Sequence, residues 1–456
     1  MQDSKVARFK RSAKALLVHF SDPSDSFFAR VLGAEDVAEV VARHVKVLRH
    51  RIFSPIDTLR LFVGQMLNAD GACQDAVARR LSERVEQGQT QNTLNTASYC
   101  QARARLPIGI PKELGAMIGI GLQRQAPARW HWHGRSVKLF DATVVSMPDT
   151  PSNQQAYPQN GREKPGLGFP KARIGALIGL ATGAVLGHAI AACKGKGTGE
   201  QGLLGELLHL VEAQDVVLAD ALLAGWWSIC DIHARAADVV MRQNGRRATD
   251  FRRGMRLGKC DHVVEWPRPP RPQEMSREKY ESYPQTLVMR EVKVNGRVLV
   301  TTILQPCQAP AHALDKLYSA RWNIEVDFRT IKCTMQMDVL RCKTVEMIDK
   351  EIATGLLAYN LVRWAMASAA ALSEVLPRAL SFKGANRVLN AFAHQLRHAT
   401  QTTIALVLEK IATLKLPFRP DRIEPRAKKR RPKNLPKLTV PRDLARAALM
   451  RRRGLS

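Results

Sequence analysis

The stretch DKLYSARWNIEVDFRTIK, Asp315 to Lys332, constrains the chain more than any other. It holds neither Gly nor Pro, and its apolar residues recur at helical spacing, which predicts one amphipathic helix. At about 100° per residue, Leu317, Ala320, Ile324, Phe328 and Ile331 fall in one arc suited to burial. Beside that arc, Tyr318, Arg321, Glu325 and Lys332 share a ridge. Most Glu, Arg and Lys groups on a helix are surface ion pairs of small energy. A single carboxylate among cations, next to a packing face, also suits a place where a metal ion meets phosphate. There the Glu binds metal, while Arg, Lys and Tyr hold phosphate oxygens.

Such a helix needs upstream carboxylates, and two stand at strand signals. VKLFDATVVSM, Val137 to Met147, reads as a buried strand interrupted by Asp141. A carboxylate inside an apolar strand is costly unless it is paired or holds a cation. The bland alternative is an Asp bonded to backbone in a turn. Two more strands follow, at about 172–182 and 185–193, joined by the turn ATGAV. DVVLAD then places Asp220 at the C-terminal end of a short strand, Val216 to Ala219, before a helix over about Leu222 to Ala234. Ligands gather at such strand ends in αβ layers. DVVMR, Asp238 to Arg242, is a further strand.

Charge points to the partner. The 456 residues carry a formal net charge of +29 and a pI near 10.3. A polyanion is implied, nucleic acid before an anionic membrane surface. Forty-five per cent hydrophobic residues describe a folded chain of two to three domains. No apolar run reaches the roughly 18 residues of a membrane span. The basic start MQDSKVARFKRSAKALLVHF lacks the apolar core and cleavage site of a signal peptide. The eight cysteines form no CxxC or zinc-type pair and read as reduced thiols of a cytosolic protein.

The chain divides as follows. Residues 1–130 form a helical N-terminal region, basic enough to bind DNA, with Ser54-Pro55 opening one helix and further helices over about 74–87 and 95–106. Residues 131–244 hold the first strands. His131 and His133 flank one residue but lack a third metal ligand. KGKGTGE, Lys194 to Glu200, lacks the Walker spacing, and Thr198 is expected to cap a helix over Gly199 to Ala213. Residues 245–310 look like an all-β insertion, with TLVMREVKV and RVLVTTIL joined at Asn295-Gly296. Trp266, amid Arg268 and Arg271, is placed either to stack on a base or to anchor the Pro-rich loop. Residues 311–375 hold the Glu helix, DVLRCKT and a long buried helix over Met347 to Leu372. Residues 376–418 are helical. The tail 419–456 has fourteen Lys and Arg against three acids. Its KKRRPK run, with Lys428, Lys429, Arg430 and Arg431, reads as a DNA contact.

Tyr318-x2-Arg321-x3-Glu325-x6-Lys332 resembles the signature of the insertion-sequence DDE transposases of IS family 4. The likeness covers about residues 50 to 375. DATVVSMPDTPSNQQAYPQ, KPGLGFPKAR, KGKGTGE, DFRRGMRLGKCDH and DVLRCKT are also similar to segments of that family. The resemblance implies an α/β protein. Its core is ribonuclease H-like, which the element order also suggests, and an all-β insertion interrupts it. It implies Asp141, Asp220 and Glu325 as the catalytic triad on two Mg²⁺, with Mn²⁺ substituting, and Tyr318, Arg321 and Lys332 on transposon-end DNA. Double-stranded DNA, ends and target, is the implied partner of a homodimer in the bacterial cytoplasm, with no membrane role. Two departures bear on a hairpin step. Ala221 follows the second Asp where some relatives have Arg, and Val298 stands near where some have Trp. A catalytically silent DNA-binding derivative and a structure-specific endonuclease are the alternatives.

Overall fold

The computed structural model describes residues 34–45, 52–68, 70–86, 88, 94–396, 400–417 and 437–453. The N-terminal start and the run Lys428, Lys429, Arg430 and Arg431 lie outside the described residues.

Among the described residues, five helices come first: α1 (Ala34–His44), α2 (Pro55–Leu67), α3 (Cys73–Glu86), α4 (Ala97–Arg105) and α5 (Gly109–Gln125). At the start of α2 the Ser54 hydroxyl accepts from Asp57 N, with Pro55 in the first turn where no N–H is needed. Helix α5 gives no clear sequence signal, because Gly109, Gly115, Gly119 and Gly121 dilute its apolar face. Gly119 is there for close approach: a Cβ would collide with the carbonyl of Val185.

The sheet follows. Strands β1 (Val137–Ser146), β2 (Lys171–Gly179) and β3 (Val185–Ala192) are antiparallel neighbours. Helix α6 (Glu200–Leu207) leads to β4 (Val216–Ala219), and α7 (Trp226–His233) to β5 (Asp238–Arg242). β4 is parallel to β1, and β5 to β4. The predicted order β-β-β-α-β-α-β is therefore present, with a short helix, Pro151–Ala156, between β1 and β2.

The insertion strands do not form a sheet of their own. β6 (Met255–Gly258), β7 (Asp261–Pro267), β8 (Thr286–Val294) and β9 (Arg297–Thr301) continue the first sheet by pairing β9 with β5. Among the described residues this makes one nine-stranded sheet, ordered β3-β2-β1-β4-β5-β9-β8-β7-β6. Asn295 and Gly296 both have positive φ (49° and 75°), as a two-residue hairpin of this hand requires.

Then come α8 (Ala311–Ser319), α9 (Trp322–Arg329), the 28-residue α10 (Val345–Leu372), α11 (Phe382–Ala391), α12 (Gln401–Thr413) and α13 (Arg442–Arg452). Helix α13 lies in the basic tail, whose described part is mostly exposed.

Side-chain alternation along the central strands divides the core between two faces. Leu139, Ile178, Leu218 and Val240 pack with Ile324, Phe328 and Leu357. Phe140, Leu177, Val217 and Val239 pack with Leu203, Trp226 and Ile229. The sheet thus lies between the α5, α9 and α10 layer and the α6 and α7 layer.

Candidate active site

Two differences from the sequence reading define the Glu helix. It begins earlier, at Ala311, and it is not continuous. Between α8 and α9 the backbone tightens: Arg321 N, Asn323 N and Ile324 N donate to Tyr318 O, Ala320 O and Arg321 O, three residues back. The Asn323 side chain also donates to Ala320 O (2.7 Å). After Arg329 the chain widens into a π-helical turn, Thr330–Thr334. The packing face survives the break. Leu317, Ile324, Phe328 and Ile331 are buried, and Ala320 is half-buried.

Strand β1 aims Asp141 at this helix, since Asp141 shares the strand face of Leu139. Arg321 joins the two elements. Its Nη1 lies 3.4 Å from Asp141 Oδ2, and its Nη2 donates to Glu325 Oε1 at 2.9 Å. One guanidinium therefore bridges carboxylates that stand 184 positions apart in the sequence. Asp141 Oδ1 accepts from Ala142 N (2.8 Å). Burial pushes the Asp141 carboxyl up; the Ala142 N–H and Arg321 oppose this, and the charges of Asp220 and Glu325 add to it. The charges of Asp220 and Glu325 thus both bear on Asp141.

Asp220 stands just past β4, as predicted. Its Oδ1 accepts from Leu222 N (2.9 Å) and Leu223 N (3.2 Å). These bonds hold residues 221–224 in a turn, so the helix predicted from Leu222 begins only at Trp226. Tyr318 is buried, with its hydroxyl raised first by desolvation and, among the charges, by Asp220 against Arg321. Lys332 is not a free cation: Nζ donates to Val144 O (2.9 Å) and pairs with Asp338 (3.0 Å).

Trp266 is a correction. Its indole is buried, donates to Glu291 Oε1 (2.8 Å) and lies under the Arg247 guanidinium (3.9 Å to the ring centre). It holds the insertion to α7, whose Trp226 Nε1 donates to Trp266 O, and is closed to a base. Thr198 does not cap α6 either. Gly199 takes that position, α6 ends at Leu207, and the Thr198 hydroxyl donates to Gly195 O.

Two residues that the sequence reading passed over stand at the site. Glu200, in the first turn of α6, has its carboxyl raised by burial and then by Asp220 and Asp141. Trp322, beside Arg321, is 56% exposed despite its size. An uncovered Trp next to a site ridge is the one sequence-visible hint; Glu200 gave none.

Among the described residues, no three His, Cys, Asp or Glu side chains enclose a metal position as they stand. The donor set nevertheless fits a hard divalent cation. It offers carboxylate oxygens only, and their mutual repulsion is relieved in this structure by the Arg321 guanidinium.

A mixed α/β chain with one carboxylate inside a central strand, one just past the end of the neighbouring strand and one on a later helix has the outline of a nuclease or transposase. The family model described as "Transposase DDE domain" matches residues 132–361, half of the chain. The chain belongs to that family and is of the IS4 type. It is 29% identical over 323 residues to the transposase InsG for insertion sequence element IS4 from Escherichia coli (strain K12), covering 67% of this chain and 70% of that one. Among solved structures, a cryo-EM synaptic complex of the piggyBac transposase with hairpin DNA aligns over 90% of this chain and 86% of its own. Its TM-score of 0.43 and 9% identity make that likeness too distant to bear on fold or site. Among the described residues, no helix is long and apolar enough to cross a membrane.

Proposed function

We propose that this protein cleaves the ends of its own insertion sequence and joins the freed 3′ ends to target DNA, with Asp141, Asp220 and Glu325 as its catalytic carboxylates. The observation that carries this reading is the single guanidinium of Arg321 on both Asp141 and Glu325. It places acids from β1 and α9 at one point, level with the strand end that bears Asp220. The antiparallel β1-β2-β3 ladder beside parallel β1, β4 and β5 supports a ribonuclease H-like core.

The three carboxylates are the residues that would hold two Mg²⁺ ions, or Mn²⁺ in their place. Bound there, the metal ions would supply charge stabilisation for attacking and leaving oxygens. Glu200 adds a further negative charge that acts on Asp220 and Asp141. Arg321 changes partner in this reading, from carboxylates to a DNA phosphate, which its planar fork grips with two hydrogen bonds. Tyr318 shapes the floor beneath it. Lys332 ties the end of the Glu helix to β1 through Val144 O and so fixes the distance between Glu325 and Asp141. Trp322 offers an open indole face to a base. Duplex DNA is the partner, and two copies, one per end, are the working unit.

The test uses a duplex carrying the DNA that flanks the reading frame, together with a supercoiled target plasmid. Wild-type protein with Mg²⁺ is expected to cut the duplex and join it to the plasmid. Cutting without joined product would favour a nuclease, and binding without cutting a silent derivative. Asp141→Asn, Asp220→Asn and Glu325→Gln are each expected to abolish cutting and leave DNA binding.

A further inference from the structure

We propose that the arginine-rich crossing loop of the insertion, residues 244–259, is a second DNA-backbone contact that takes the duplex about seven base pairs from the scissile phosphate. This rests on the transposase reading for its distance to the cut, but not for DNA binding itself.

The segment NGRRATDFRRGMRLGK carries five Arg and one Lys against the single acid Asp250. Its cations are sorted by the fold. Arg247 turns inward over Trp266. Arg246, Arg252, Arg253, Arg256 and Lys259 are exposed. The side chains of Arg252 and Arg253 are 89% and 82% open, although both touch Asp250.

The frame beneath them is pinned. Gln243 Nε2 donates to Arg247 O (3.0 Å), and the Thr249 hydroxyl to Gln243 Oε1 (2.6 Å). Asp250 Oδ1 accepts from Arg252 N (3.2 Å) and Nε (2.8 Å), aiming that side chain. His262 Nδ1 lies 2.6 Å from Arg253 O, and the Phe251 ring packs on His262. Folding has already fixed the backbone, so holding a phosphate orders only side-chain tips.

Topology sets the distance. The loop leaves the end of β5, beside Tyr318, and crosses to β6. β9, β8, β7 and β6 alternate in direction, so β6 runs parallel to β4 and its turn at Lys259 falls at the same sheet end as Asp220. In the sheet order β6 is five strand steps from β4. At about 4.8 Å per step that is roughly 24 Å, or about seven base pairs at 3.4 Å of rise. A duplex laid along this end of the sheet from Asp220 reaches the loop with its backbone.

Two measurements test this. The first is the salt dependence of binding to a duplex of arbitrary sequence, about 30 base pairs long. Each phosphate contact contributes about 0.9 to the log–log slope. The triple variant Arg252→Ser, Arg253→Ser, Arg256→Ser is expected to lower the slope by roughly two to three, and the all-Lys triple to keep it. An unchanged slope in a variant with normal thermal stability overturns the proposal. The second is phosphate-ethylation interference on the flanking-DNA duplex. A wild-type signal about six to eight base pairs from the cut, absent in the Ser triple, supports the placement. A signal that persists in the triple overturns it. If the wild-type protein does not cleave, the transposase reading fails alone, and the salt slope still decides whether the loop contacts DNA.

Discussion

Helices α9 and α10 are separated by fifteen residues and rely on packing and polar bonds in different measure. Helix α10 is long and regular, and nearly every residue from Ile348 to Ala370 is buried. Its Thr344 makes no side-chain cap, so packing does most to sustain it, helped by Asn360 Nδ2, which donates to Gly115 O (2.8 Å) and Val185 O (2.7 Å). Helix α9 has eight residues, a tightened turn before it and a π turn after it. Besides the buried Ile324 and Phe328, a polar clasp on the face away from the site holds it. Asp327 is wholly buried and receives Arg363 Nη2 (2.5 Å), Arg378 Nη2 (3.0 Å) and the Tyr359 hydroxyl (3.1 Å). Arg378 reaches on to the carbonyls of Leu180 and Gly179 at the β2–β3 turn. A short helix that presents one carboxylate is thus tied by directional bonds to a long neighbour that is itself held mostly by packing.

That contrast can be broken at several points. The largest effect is expected from Asp327→Ala, which takes the carboxylate from the buried Arg363 and the half-buried Arg378 and should cost about 3–5 kcal/mol in thermal or denaturant unfolding. A loss below about 1 kcal/mol would mean that the clasp does not hold α9. Leu357→Ala in α10 leaves a cavity and should cost roughly 2–4 kcal/mol. Cleavage per folded molecule should stay normal, because no site residue shifts; reduced cleavage at a temperature where the variant is folded would make α10 part of the site. Arg321→Lys should barely alter stability, since the pairs it makes are partly solvated. It should slow cleavage on the order of a hundredfold, because Lys cannot make the paired grip and the end is misplaced by about an ångström. Normal cleavage in Arg321→Lys would reduce the shared ridge to a surface ion pair.

How much of this was legible in the sequence follows the range of the forces. Ser54-Pro55, Asn295-Gly296 and the strand-end Asp220 are local devices, and each stands where local chemistry put it. The apolar face of the Glu helix was equally plain from its spacing. Its break was not, because it depends on Asn323 turning back to Ala320 O and on a clasp reaching Arg363 and Arg378. The merging of insertion and core into one sheet rests on β5 pairing with β9, about 60 residues downstream, which no local pattern announces. Trp266 read as a base-stacking candidate because Arg neighbours suggested phosphate. Glu291 and Arg247, which bury it, lie elsewhere in the sequence. Glu200 joins the site only through the packing of α6 on the sheet.

The central claim is that carboxylates from β1, the end of β4 and α9 serve one cation site. Calorimetric titration of Mn²⁺ into the wild-type protein and into Asp141→Asn, Asp220→Asn and Glu325→Gln tests it without DNA or turnover. The account predicts binding by the wild type and at least about tenfold weaker binding in each variant, as expected when one ligand of a shared site is lost. Undiminished Mn²⁺ affinity in any one of the folded variants would contradict it.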